Sequence, residues 1–210
     1  MLSGVEVIGL LSVAPQTGDS WMFHVPNVEW TELQAEAMEL PLYKFYVKGR
    51  KEEEVAELYE IVKNLHREME FDGIVSGAIE SVYQKSRIDR VCGKLGLRSI
   101  APLWRRDPKE LLERVLKRDF EIYIVGVFAE GFDENWLGRK LNEELVGKLL
   151  ELHRKHGIHL CGEGGEYETF VCDCPIFKKR IVIVEAEKIW RRTWGVFYIR
   201  RAALKEKAQP

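Results

Sequence analysis

The sequence predicts an α/β fold in which a mostly parallel sheet is covered on both faces by helices. Short β-branched runs alternate with segments of helical period through the first two thirds of the chain. The strand-like runs are short and rich in apolar residues, as strands buried on both faces are. Several helical segments also begin or end with capping residues.

Residues 5–13 form the first strand candidate and residues 42–47 the second. Across 52–66, Val55, Leu58, Tyr59, Val62 and Leu65 share one helical face. Residues 73–76 read as a short buried strand. The helix expected over 80–95 repeats Ile88, Val91, Cys92 and Leu95 at helical spacing, and Gly96 stands where a left-handed residue stops a helix. Asp107, Pro108 and Glu110 supply an N-cap acid, a proline at the first helical position and an acid at the third. That helix carries Leu111, Leu112, Val115 and Leu116. Residues 122–128 are the most strand-like run, and 143–153 form a further helix. Beyond them come turns, a glycine-rich segment and strands at 181–185 and 196–200. The change of character sets a boundary near residue 130: residues 1–130 form the parallel-sheet domain, 131–204 a smaller C-terminal α+β part, and 205–210 a frayed tail.

A chain of 210 residues with 46% hydrophobic content can fill one sizeable core. Its net charge of −2 creates no strong pull toward nucleic acid or an anionic membrane. No apolar run reaches the ~18 residues that span a bilayer. The N-terminus lacks a basic segment and Glu6 interrupts its apolar stretch, so it reads as a strand and not a signal peptide. Four cysteines are too sparse for a disulfide framework, and a cytoplasmic, reducing location is expected. Cys172 and Cys174, with Cys161 upstream, lack the second pair a zinc site needs; they are expected to be buried fillers, with no metal bound there.

Ligands on parallel sheets bind beyond the carboxyl ends of the strands, which singles out a few loops. Ser76, Gly77 and Ala78 follow a strand and open a helix, where bare backbone and a helix N-terminus favour an anion. Tyr83, Gln84, Lys85 and Arg87 lie in that helix's first turns. The same junction is purely structural in many α/β proteins. Residues 162–173, G-E-G-G-E-Y-E-T-F-V-C-D, place Glu163, Glu166 and Glu168 among Gly162, Gly164 and Gly165. Clustered carboxylates can hold Mg²⁺, orient an amine or act as a base; otherwise they face water in a solvated turn. A third stretch, 19–34, sets His24, Asn27 and Gln34 among aromatics, an arrangement more often structural than catalytic. Trp104, Arg105 and Arg106 could stack a base and meet a phosphate, or form a surface cation–π group.

Together these motifs resemble the diphthine–ammonia ligase family of the N-type ATP pyrophosphatases. The matching pieces are M-F-H-V-P-N (22–27), L-Q-A-E-A-M-E-L-P (33–41), S-G-A-I-E-S-V-Y-Q-K-S-R-I (76–88), W-L-G-R (136–139) and the 162–173 segment. The resemblance runs from about residue 5 to about 188. It implies a Rossmann-like sheet of the adenine nucleotide alpha hydrolase type, with the nucleotide-binding domain in 1–130 and the substrate-binding part in 131–204. It also implies an ATP-dependent amidation. The carboxylate of diphthine, the modified histidine of elongation factor 2, is adenylated with release of pyrophosphate, and ammonia then displaces AMP to leave diphthamide. ATP and Mg²⁺ are the implied cofactors; elongation factor 2 and ammonia are the partners. Direct nucleic-acid or membrane contact is not expected, and a homodimer is left open. By motif, Ser76, Gly77, Ala78, Gln84 and Arg87 line the nucleotide, and Ser12 and Val13 meet the adenine through backbone. Glu163, Glu166 and Glu168 are the catalytic candidates. His24, Asn27, Tyr83, Gly164, Gly165 and Thr169 are the substrate-side candidates.

In one respect the sequence departs from the family. Members open with a strand, an S-G-G-K-D-S loop that grips pyrophosphate, and a helix; no such motif occurs here, and Met1 aligns near that helix's end. The expectation is a start codon set too far downstream, with a central strand lacking between the 5–13 and 73–76 strands. Such a chain is expected to fold poorly and to be inactive as given, a nucleotide-binding remnant being the alternative. A tRNA-modifying relative, or an amide ligase for a free metabolite, would use the same chemistry.

Overall fold

The computed structural model describes residues 4–15, 27–48 and 54–207. They fall into two compact units: residues 4–15 with 41–106, and residues 27–40 with 107–207. Mixed α/β architecture is present in both.

In the first unit β1 (Leu10–Pro15) pairs in parallel with β2 (Leu42–Val47), and β3 (Gly73–Val75) with β4 (Arg98–Ile100). Between these strands run α2 (Glu54–Met69) and α3 (Val82–Leu95). Val62 of α2 meets Val91 and Cys92 of α3 and Leu97, with Leu58, Tyr59, Ile74 and Ile88 packed around them. The helical face predicted from period is therefore the buried one. Ser81 caps α3 by accepting the Gln84 N–H at 3.3 Å, and Gly96 ends it in the left-handed region at φ 70°. The described strands of this unit form two parallel pairs, and none joins β1 to β3, the position where a central strand was expected to be lacking. Ile8, Leu11, Val13 and Val75, on or next to these strands, remain exposed.

The second unit holds α1 (Thr31–Met38), α4 (Pro108–Leu116), β5 (Glu121–Val127), α5 (Glu143–His156), β6 (Tyr167–Asp173), β7 (Lys179–Arg191) and β8 (Trp194–Glu206). Its sheet is antiparallel, in the order β6-β5-β8-β7. The Asp107 carboxylate accepts N–H bonds from Lys109 at 2.7 Å and Glu110 at 3.2 Å, so the predicted N-cap forms. The sheet separates two apolar clusters. One holds Leu112 of α4, Ile124 and Val127 of β5 and Leu145 and Leu149 of α5; the other holds Ala37 of α1, Val125, Phe170, Cys172, Ile181 and Ile199. A register shift in the pairing of β5 with β6 between Ile124 and Gly126 leaves Val125 as the extra residue, aimed into the second cluster.

Three sequence expectations are revised. The units part at Arg106 and Asp107, not near residue 130, because Leu112, Ile122 and Ile124 fill the second core. The final strands are 13 residues each, and β8 runs through Glu206, where a tail was expected. Residues 31–34, the end of the 19–34 stretch read among the ligand loops, open the helix α1, which is tied to the second sheet: Trp30 Nε1 donates to the Ile199 carbonyl and Gln34 Nε2 to that of Val171, both at 3.0 Å.

Candidate active site

Each unit gathers one set of the expected residues. In the first, the β3–α3 junction walls a cavity of about 590 Å³ lined by Leu58, Ser76, Gly77, Ala78, Tyr83, Gln84, Arg87 and Ile88. Six of these were predicted, five on the nucleotide side and Tyr83 on the substrate side. A Cβ added at Gly77 would meet nothing within 4 Å, so the cavity is open over bare backbone. The Ser76 N–H is bound to the Ile100 carbonyl at 2.9 Å, while its buried Oγ has no hydrogen-bond partner among the described residues. Such a hydroxyl costs free energy until a ligand engages it. The Arg87 guanidinium stacks 3.3 Å over the Tyr83 ring, which flattens it against the wall. Behind the cavity, Lys85 and Ser99 reach Asp89 at 2.6 and 2.7 Å, and the Lys85 contact holds its carboxyl below the ordinary range. Ser12 and Val13 stand on β1 and are not among the lining residues. Trp104 lies in reach of two cations, Lys85 at 5.5 Å and Arg105 at 5.9 Å.

In the second unit the glycine–glutamate segment forms a tight turn leading into β6. The Gly162 N–H bonds the His159 carbonyl and the Gly165 N–H that of Gly162, both at 2.9 Å. Gly162 adopts φ 70°, and a Cβ there would lie 2.6 Å from the Tyr167 carbonyl oxygen, which excludes any side chain. The Tyr167 hydroxyl, buried in the first cluster, donates to the Leu160 carbonyl at 2.6 Å and anchors the turn from beneath. Its desolvation keeps that phenol protonated far above the usual range.

The three carboxylates have different surroundings. Glu166 folds back over Gly164 and accepts the His159 N–H at 2.7 Å through Oε1; its Oε2 is buried with no hydrogen-bond partner among the described residues. Burial alone pushes the Glu168 carboxyl up from its ordinary value. Glu163, its side chain 9% exposed, lies with Oε2 3.8 Å from His159 Nε2. Gly164, Gly165 and Thr169 are exposed. Side by side, the segment offers a hydrogen-bonded carboxyl, a desolvated carboxyl and a third acid beside an imidazole. That is acid–base equipment.

His24 lies outside the described residues. Asn27 is committed to the scaffold: 2% exposed, it donates to the Phe197 carbonyl at 3.0 Å and accepts the Ile199 N–H at 2.8 Å. Cys172 and Cys174 are buried in the second cluster, and burial pushes the Cys172 thiol up to about 12. In W-L-G-R, Trp136 and Leu137 are buried and the Gly138 N–H bonds the Ile124 carbonyl at 2.8 Å, so the motif edges β5. His159 was missed by the sequence reading. Its only signal is a histidine three residues before the first glycine of the turn.

Family comparisons cover nearly the whole chain. Residues 1–99 match the diphthamide synthase N-terminal domain and residues 107–205 the diphthamide synthase C-terminal domain, a division that agrees with the break between Arg106 and Asp107, while residues 27–40 of the N-terminal match belong to the second unit. Among curated proteins, the diphthine–ammonia ligase of Rattus norvegicus is 38% identical over 205 residues, covering 89% of this chain and 76% of the relative. That of Danio rerio is 41% identical over 206 residues, covering 89% and 80%. That of Schizosaccharomyces pombe is 35% identical over 223 residues, covering 98% of this chain and 37% of a longer protein. Both halves of the chain and both residue groups thus point one way: the protein belongs to the diphthamide synthase family.

Proposed function

We propose that this protein is an ATP-dependent ligase that amidates diphthine on elongation factor 2 with ammonia. The observation that carries the reading is the cavity at the β3–α3 junction, where Ser76, Gly77, Ala78, Gln84 and Arg87 converge on one space beside a helix N-terminus. In the first step a carboxylate oxygen of diphthine attacks the α-phosphorus of ATP and pyrophosphate leaves. In the second, the ammonia nitrogen attacks the acyl carbon, the bond to AMP breaks, and the nitrogen sheds a proton. Arg87 and the α3 N-terminus would offset phosphate charge, and the orphaned Ser76 Oγ supplies one more polar group. Mg²⁺, which keeps waters and favours phosphate oxygens, would be held chiefly by the triphosphate. Glu166 and Glu168 are suited to the proton transfers of the second step. A Rossmann-like ATP-pyrophosphatase lineage for the first unit and a cytoplasmic setting belong to the same reading. Among the described residues no helix is long and apolar enough to cross a membrane.

The test is AMP and pyrophosphate formation from ATP in the presence of ammonium and diphthine-bearing elongation factor 2. Glu166→Gln and Glu168→Gln should each abolish turnover in a folded protein, and full activity in both would sink the assignment. Nucleotide binding without pyrophosphate release would identify a binding remnant. Equal activity on a free carboxylic acid would identify a metabolite ligase.

A further inference from the structure

His159 sits where the glycine–glutamate turn closes, and its ring is used on both sides. Nδ1 accepts the N–H of Cys161 at 3.2 Å and that of Glu163 at 3.3 Å. A ring nitrogen that accepts carries no proton, so in the neutral imidazole the proton must reside on Nε2. Nε2 is the atom that faces Glu163 Oε2, at 3.8 Å. The same residue's backbone N–H binds Glu166 at 2.7 Å. His159 therefore meets both carboxylates, Glu166 by a backbone hydrogen bond and Glu163 by the approach of its ring. The side chains of His159 and Glu163 are 16% and 9% exposed, so water competes weakly for these contacts.

From this we infer that His159 is a positioning residue. Its backbone clamps the turn, and its Nε2–H tautomer sets the orientation of the Glu163 carboxylate for the amidation. The inference rests on the proposed ligase activity for its chemical consequence, but the tautomer is a property of the folded chain alone. A residue that merely held the turn would need Nδ1 and nothing at Nε2. A residue that positions Glu163 needs both.

Two substitutions separate these roles. In His159→Asn, the side-chain oxygen takes the place of Nδ1 and keeps an acceptor for the two N–H groups, while the donor toward Glu163 is lost. In His159→Gln, a polar end reaches toward Glu163 but the acceptor at the turn is lost. His159→Asn should melt close to wild type, with kcat for ammonia-dependent AMP formation falling roughly 10- to 100-fold and KM for ATP unchanged. His159→Gln should melt lower. On nitrogen-labelled histidine in wild type, the His159 Nδ1 resonance should lie in the unprotonated range and Nε2 in the protonated range. The Nε2 signal should shift in Glu163→Gln. A protonated or averaged Nδ1, an Nε2 signal indifferent to Glu163→Gln, or wild-type kcat in a folded His159→Asn would each overturn the inference. If wild type forms no AMP, the ligase reading fails and the ring-nitrogen signals alone decide the tautomer and its Glu163 contact. If His159→Asn fails to fold, the wild-type and Glu163→Gln signals decide in the same way.

Discussion

Three glycines of one turn give a graded test of the geometry. Gly162 and Gly165 both have positive φ, 70° and 82°, so alanine at either carries the left-handed penalty of ~1–2 kcal/mol. They differ in surroundings. At Gly162 the new Cβ would lie 2.6 Å from the Tyr167 carbonyl oxygen, and this backbone cannot retreat because the Tyr167 side chain is locked in the core. Overpacking of that kind adds ~1–3 kcal/mol, so Gly162→Ala should cost roughly 2–5 kcal/mol in all. At Gly165 nothing lies within 4 Å, and only the conformational term applies. At Gly164 the new Cβ meets the Glu166 carboxylate at 2.6 Å. That is the mobile end of a side chain, which can swing away at the cost of its bond from the His159 N–H, about 1–2 kcal/mol. The expected order of stability loss is therefore Gly162→Ala first, with Gly165→Ala and Gly164→Ala well behind. The order of activity loss differs, because Gly164→Ala displaces a catalytic candidate. Urea unfolding followed by tryptophan fluorescence reads the first order, since Trp30, Trp136, Trp190 and Trp194, four of the six tryptophans, belong to the second unit. Equal destabilisation by Gly162→Ala and Gly165→Ala would refute the steric argument. Full activity in Gly164→Ala would refute the role given to the Glu166 orientation.

Four further outcomes are expected. Asn27→Ala removes both amide contacts to β8 and strands two backbone groups, and should lower stability by about 3 kcal/mol in the same unfolding assay. Gly77→Ala enters open space and should leave the melting temperature unchanged, yet weaken ATP binding at least ~10-fold by calorimetry if the nucleotide backbone lies against it. Cys172, with its thiol near 12 against an ordinary 9.0, keeps in the folded state a proton that the unfolded chain releases. Its contribution is whole below pH 9 and should fall by up to ~1.4 kcal/mol per unit from there toward 12; urea midpoints at pH 8 and 10.5 should show a shallower loss in Cys172→Ala. Glu168→Gln relieves a carboxyl whose ionised form is penalised by burial, so at pH 7 it should raise the melting temperature while activity is lost. A lower melting temperature would mean that the carboxylate is compensated in the fold.

What the sequence made legible is local. Asp107, Pro108 and Glu110 announce a helix start by chemistry within four residues, and Gly96 announces a stop. The Ser76–Arg87 cavity was legible because a strand, a glycine and a helix follow one another within a short stretch, with only a brief loop before α3. The placement of residues 27–40 was hidden, since its tethers reach from Trp30 to Ile199 and from Gln34 to Val171, and no local pattern encodes partners so distant. The last strands read short because Glu185, Glu187 and Lys188 break the apolar run; in β7 these residues face outward and pair with β8 all the same. The extra residue at Val125 depends on register, which period alone does not supply. His159 escaped for a related reason: its ring is defined by backbone N–H groups of the turn, and backbone donors leave no trace in a list of side chains.

The three glutamates of the glycine-rich segment also differ in ways that suit the proposed two-step amidation. Attack by ammonia requires a group that takes up a proton near neutral pH, and a carboxylate of ordinary acidity is a poor acceptor for it. Burial raises the affinity of Glu168 for a proton, the property a base in that step needs. Glu166 stands in a different environment, its Oε1 accepting the His159 N–H and its Oε2 left buried and open to a donor. An ammonium ion is such a donor. In the proposed amidation, Glu166 just before β6 would hold the nitrogen and Glu168 within β6 would deprotonate it. The glycines bring them within one turn, and the His159 contacts keep their geometry from drifting. Residue type alone does not distinguish these acids, because all three are glutamate; the distinction comes from the burial and hydrogen bonding of each.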